Sequence, residues 1–268
     1  SEFLARHNMT AVLHWNSIWH QCTLSLLGRT QVPHLLAGAA YDEMQSLAAE
    51  IEAGNRNVIY LIYLFKSYLC YLHGEYEQAV EYVTEAAPYI DGVPGMIFMS
   101  YLPYFESLAL LAVYEQRAAD EQQRILDTVE ANLQKLNMWA GFAPMNQQHK
   151  IYLVEAERAR VRGQDSGAAA LYDRAIEQAE TQGYINDAAL ANERAALFFA
   201  ARGREKFAQI YLQDAYRLYV AWGAKAKTDE LARRYPQWVD LRLPASAQQP
   251  VERLDVEAIV RASQTFSE

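Results

Sequence analysis

Cysteine is scarce in this 268-residue chain: there are two, Cys22 and Cys70, with 47 residues between them. That is too few for a disulfide framework, and the default compartment is a reducing cytoplasm. Long uninterrupted apolar runs are also missing, and the longest falls far short of a membrane span. No charged-then-apolar signal opens the chain. Positive charge is in deficit, with 24 Lys plus Arg against 33 Asp plus Glu and a formal net charge of −9. An acidic chain without a basic stripe is poorly suited to holding nucleic-acid phosphates. Disorder is excluded from the other side, because 51% of the residues are hydrophobic. The Ser1-Glu2-Phe3 start reads as an expression scar and suggests a piece of a longer protein.

The acidity is unevenly spread. Residues 1–150 carry 8 basic and 16 acidic side chains, whereas 151–268 carry 16 and 17. The plain reading of the first half is a solvated acidic surface; the alternative is a field that steers a basic partner.

Period-2 alternation is almost absent, while apolar residues recur at threes and fours, as in Phe207, Ile210, Tyr211, Ala215 and Leu218. Gly28, Gly54, Gly74, Gly163, Gly183, Gly203 and Gly223 fall between the periodic stretches. The pattern predicts helices near 8–27, 40–53, 56–73, 75–90, 95–117, 119–136, 146–162, 165–182, 184–202, 204–222 and 224–234, hence an all-α chain of antiparallel hairpins. The hairpins resemble one another. Ala79, Val83 and Ala86 follow Gly74; Ala168, Tyr172 and Ala175 follow Gly163; Ala208, Leu212 and Ala215 follow Gly203. Two small residues flanking a large one let a second helix approach its neighbour closely, which is the tetratricopeptide spacing. The first helices lack a strict signature, and the clearest pair of turns, Gly163 and Gly203, is offset by 40 residues rather than about 34. The expected fold is therefore an irregular tetratricopeptide-like α-solenoid over residues 4–239, with a concave wall. A Pro/Ala/Gln linker follows at 240–253. A further helix then begins at 254–268, with Asp255 as its cap and an apolar seam through Val256, Ile259, Val260 and Phe266. Such a seam suits a coiled coil and dimerisation, or folding back onto the solenoid.

Catalytic signatures are missing: there is no phosphate loop, Gly-x-Gly-x-x-Gly, His-Glu-x-x-His, Cys-x-x-Cys or Gly-x-Ser-x-Gly. The expectation is a non-enzyme without a cofactor or metal. His7, His14, His20 and Cys22 are metal-ligand types, but Trp15 and Trp19 interleave with them and favour partly buried imidazoles. Tyr60, Tyr63, Tyr68, Tyr71 and Tyr76 read as large fillers between repeats, with an aromatic groove as the alternative. The stretch from Ala143 to Glu157 is the most informative. With Gly163 as the turn, Asn146, His149, Lys150, Glu157 and Arg160 lie on a first helix, the one that lines the concave side of such stacks; Asn192 and Glu193 take comparable places on the next. These seven residues are the candidate site, either a groove for a peptide or small molecule or a polar network fixing the register of the repeats.

Several long stretches carry a resemblance. They include Pro33-His34-Leu35-Leu36 with Tyr41-Asp42-Glu43, Leu72 through Ala79, Ala143-Pro144-Met145-Asn146 and Tyr172 through Ile176. Asp187 through Ala196, and Ala221-Trp222-Gly223-Ala224-Lys225-Ala226-Lys227 on to Tyr235-Pro236, belong with them. The chain from about Leu4 resembles the helical region of very large bacterial, especially cyanobacterial, signalling kinases. In those proteins a serine/threonine-kinase-like domain, an AAA-type ATPase, a tetratricopeptide-like region, a GAF domain and a histidine kinase follow one another. Arg194 stands where that pattern has an apolar residue. The resemblance implies a non-catalytic regulatory segment, with neighbouring domains or a separate protein as partners and residues 254–268 leading towards a GAF domain. Sensing of a small molecule in the groove is the alternative.

Overall fold

The computed structural model describes residues 10–240, with side chains from residue 13 onward. The Ser1–Phe3 start, His7, residues 241–253 and the helix and seam expected over 254–268 lie outside the described residues. Eleven α-helices follow one another: α1 Thr10–Leu26, α2 Glu43–Glu52, α3 Arg56–Leu72, α4 Tyr76–Ala86, α5 Tyr101–Val113, α6 Ala119–Ala140, α7 Pro144–Val161, α8 Asp165–Thr181, α9 Ile185–Ala201, α10 Glu205–Trp222 and α11 Lys225–Arg234. Among the described residues there is no β-strand, only an isolated bridge between Ala37 and Asp42. The fold is all-α and of the helical-repeat kind. α1 and α2 both pack on α3, each later helix packs on its chain neighbour, and α3, α5, α7 and α9, the first helices of successive hairpins, also pack on one another.

The small–large–small triplets hold the hairpins together. Ala79, Val83, Ala86, Ala168, Tyr172, Ala175, Ala208, Leu212 and Ala215 are all buried to 1% exposure or less. The alanines allow the helix axes to close up, and the larger side chain fills the groove between them. Ala208→Leu overpacks such a contact, and we expect it to cost about 1–3 kcal/mol, read as a lowered urea midpoint.

The structure departs from the sequence pattern where chain geometry overrides periodicity. The helix expected over 75–90 stops at Ala86, and Ala87–Gly92 is a 3-10 turn. Pro88 has no N–H to give to the previous turn, so the α-helix cannot run on. Gly92 then passes so close to α3 that a Cβ there would lie 2.6 Å from the Asn57 nitrogen. The expected 95–117 helix begins as a 3-10 turn over Ile97–Ser100, and α5 is α-helical only from Tyr101. Asn137 does not end α6, because its side chain donates to the Leu133 carbonyl one turn back (2.8 Å). Pro144, with no N–H to lose, opens α7 two residues before the expected start.

One stretch, Ile97–Gln116, has the length and hydropathy of a membrane span, and 56% of it is buried inside the protein. That is the behaviour of a core helix.

The array also curls back on itself. α11 packs against α1, and the Gly28 turn after α1 lies 3.5 Å from the Ala226 nitrogen, measured from an ideal Cβ. The first and last helices described are thus spatial neighbours.

Candidate functional site

The inner helices carry an unusual load of buried charge, arranged in three clusters. The first is centred on Glu157 of α7, which is fully buried. Arg194 of α9 holds both carboxylate oxygens, from Nε (2.8 Å) and Nη2 (3.0 Å). Arg160 Nε adds 2.8 Å to one oxygen, and the Tyr172 hydroxyl donates to the other at 2.7 Å. Arg194 also donates to the Tyr76 hydroxyl (2.8 Å), and Arg160 reaches Glu115 (2.9 Å) and the Leu111 carbonyl (2.8 Å). Burial pushes the Glu157 carboxyl up, but Arg194, Arg160 and the Tyr172 bond outweigh it and hold it down at about 2. The bidentate fork is the strong geometry for such a pair.

The second cluster joins α7 to α9 one turn from their starts. His149 Nε2 lies 2.9 Å from Asp187 Oδ2, and its ring stacks on Tyr184 at 4.5 Å between centroids. Lys150 Nζ donates to the Asn146 carbonyl (2.8 Å) and lies 3.1 Å from His149 Nε2 and 3.7 Å from Asp187. Tyr184 and Tyr101 present their ring faces to it at 4.9 and 5.2 Å. Nε2 of His149 can serve one neighbour at a time, as donor to Asp187 or acceptor from Lys150. Burial lowers both basic groups, against the pull of Asp187. Burial also raises Asp187, yet His149 and Lys150 bring it net below its ordinary value. A lysine held low beside an imidazole and a carboxylate has the makings of acid–base chemistry. Here, though, Lys150 and His149 are 1% and 2% exposed, and a reaction needs a substrate within reach.

The third cluster ties the end of the array to its beginning. Lys227 of α11 lies 2.8 Å from Glu193 of α9, 3.4 Å from Glu230, and donates to the Leu72 carbonyl at the end of α3. Tyr219 donates to the second oxygen of Glu193 (2.8 Å), and Glu230 meets His73 at 2.7 Å.

The seven residues chosen from sequence are therefore spread over the three clusters, with Asn146, His149 and Lys150 in one, Glu157 and Arg160 in another, and Glu193 in the third. Asn192 joins none of them; its side chain donates to the Ala188 carbonyl of its own helix (2.9 Å). The partners that complete the clusters, Asp187, Tyr172, Tyr184, Arg194 and Lys227, were not among the seven. A signal for most of them existed. Asn146–Tyr184 and His149–Asp187 are 38 residues apart and Glu157–Arg194 is 37, which is one repeat. The exposed Asp165–Arg202 and Asp173–Tyr211 pairs keep the same step.

Other residue groups separate differently. His14 contacts Glu50 at 2.5 Å, Cys22 faces the core and His20 is exposed. Among the described residues no three His, Cys, Asp or Glu side chains converge as a metal would require. Of the tyrosines, Tyr60 is buried and donates to the Phe98 carbonyl (2.8 Å), and Tyr71 packs against Tyr76 with 5.3 Å between ring centroids. A cavity of about 540 Å³ opens beside His14 and Glu50, walled by Ser17, Tyr41, Ser46 and the Gly38–Ala40 backbone. Gln21 pins that loop by accepting from the Ala40 (3.2 Å) and Tyr41 (3.4 Å) nitrogens.

No protein-family model, curated protein or solved structure matches the chain.

Proposed function

We propose that this chain is a non-catalytic, cytoplasmic interaction and relay segment of a multidomain signalling kinase. It docks an ATPase domain or a separate protein and passes the change through residues 240–253 to the 254–268 helix, a GAF–histidine kinase output and, through that helix, a paired copy. The observation that supports this most is the cross-tying of the repeats: buried ion pairs bind α7 to α9 and α9 to α11, and Lys227 and Glu230 tie α11 back to the end of α3. An array wired in this way transmits a displacement at one hairpin to the others, as a relay must. Apolar surface left for a partner includes the α6–α7 turn, where Met138, Phe142 and Met145 stand exposed.

A second reading, a small-molecule sensor, draws on the cavity by His14, where the buried Tyr41 hydroxyl completes no hydrogen bond among the described residues. One pair of measurements separates the two. With the isolated chain as bait, the relay reading expects capture of the parent's ATPase domain and a melting temperature unmoved by a metabolite panel. Deleting residues 240–268 from the parent is then expected to uncouple input from phosphorylation, and unchanged regulation would sink the relay. A metabolite that raises the melting temperature of the wild type but not of Tyr41→Phe would establish the sensor instead.

A further inference from the structure

The helical array is closed at one place by contacts that reach across more than half of the chain. Lys227 is buried to 2% exposure, and its ammonium is held by Glu193 of α9, Glu230 of its own helix and the last carbonyl of α3. His73, just past α3, completes the circuit to Glu230, 157 residues away. α11 itself is short, 10 residues, and the rest of its packing is on α10 and α1. Of its ten residues only Lys227, Thr228 and Leu231 are buried, so charge carries much of its hold on the ring, and a short element held in this way is one that opens locally.

What lies inside the ring is also informative. Tyr71 and Tyr104 are 2% and 0% exposed, and among the described residues their hydroxyls have no hydrogen-bond partner, nor does Nδ1 of buried His149. These atoms project from α3, α5 and α7, around the ring of Phe105 and near Asp187. Orphaned polar atoms on three neighbouring inner helices are hydrogen-bonding capacity that the closed ring leaves unused.

We propose that α11 is a latch: the Lys227 contacts hold the ring shut, and its release opens the lined interior, where the Tyr71 and Tyr104 hydroxyls and His149 take up hydrogen bonds from water or a polar ligand. The inference concerns this chain alone and does not rest on the signalling reading.

The geometry supplies its own staple. An ideal Cβ on Gly28 lies 3.9 Å from the Cβ of Ala226, within the range of a disulfide. Gly28 has φ of +69°, so the strain of a cysteine there is controlled by comparing oxidised with reduced forms of the same double variant, Gly28→Cys with Ala226→Cys. The native thiols do not interfere, because burial pushes Cys22 and Cys70 up to about 12 and leaves them protonated. Hydrogen exchange of the full chain is the readout. In the reduced double variant and the wild type, amides at 65–76, 101–108 and 145–157 exchange through latch opening, and oxidation slows them by about tenfold or more. Lys227→Met speeds the same amides and those of α11, and leaves those of α6 and α8 unchanged. Equal exchange in the oxidised and reduced forms overturns the latch. So does a Lys227→Met effect confined to α11, which is local fraying, or one spread evenly over the chain, which is loss of global stability.

Discussion

Glu157→Leu is expected to destabilise the protein by about 3–5 kcal/mol, the loss typical of removing one partner from a buried ion pair. The reason lies in what remains. Glu157 is fully buried and accepts from Arg194 twice, from Arg160 and from Tyr172. Without it, the Arg194 guanidinium keeps only the Tyr76 hydroxyl and the ring faces of Tyr71 and Tyr76, at 5.9 and 5.6 Å, to offset its charge. Arg160 fares better, since Glu115 and the Leu111 carbonyl still hold it near the surface. The comparison that isolates the mechanism is the double variant Glu157→Leu with Arg194→Met. Removing both charges replaces an uncompensated ion with apolar volume, and it is expected to recover most of the loss. Urea unfolding followed by circular dichroism measures all three proteins. A double variant as unstable as Glu157→Leu would mean that packing, not stranded charge, sets the cost.

Acid is expected to unfold the protein in two stages. Glu157 sits at about 2 in the folded chain against an ordinary value of 4.5. Between those values the unfolded chain binds a proton that the native chain refuses, so stability falls as the pH drops through that window. A shift of this size is worth about 3 kcal/mol, fully present above the ordinary value. Asp187, also held below its ordinary 3.8, acts in the same direction and adds to the loss at the lowest pH. His149 starts the decline earlier. Burial lowers it from 6.5, so the unfolded chain takes up a proton near neutrality that the native imidazole does not. Urea midpoints at successive pH values are expected to slip gently from pH about 6.5 and steeply below about 4.5. Glu157→Gln, already destabilised at neutral pH, should lose most of the steep part. A midpoint independent of pH between about 6 and 3 would contradict the assignment of these groups.

Much of the fold was legible in the sequence, because it depends on local rules. The turn glycines, the periodicity and the Ala–large–Ala triplets each act within about a repeat. The departures at Pro88, Asn137 and Pro144 are equally local, and they turned on hydrogen-bonding detail that apolar periodicity does not register. The site was legible only in halves. Glu157, His149 and Lys150 could be placed on the inner face by counting from Gly163, but a charged residue on an inner face looks the same whether it awaits a ligand or a partner. Arg194 shows the difficulty. It read as an oddity in an apolar position, and it is the partner of Glu157, 37 residues away. The Tyr76–Arg194 and Lys227–Leu72 contacts, 118 and 155 residues apart, depend on the curvature accumulated over several hairpins. No spacing rule foresees them.

That curvature has a thermodynamic consequence. A row of repeats with nearest-neighbour coupling melts from its ends, where each terminal unit has one neighbour instead of two. When α11 meets α1 and α3, the row becomes a loop in the statistical sense, and no hairpin is terminal. Fraying then requires two boundaries to form instead of one. The described part of the chain should therefore lose structure more nearly all at once than an open array of equal length. Any event that parts α11 from α3 does not merely loosen one helix; it restores two ends to a chain of units that had none.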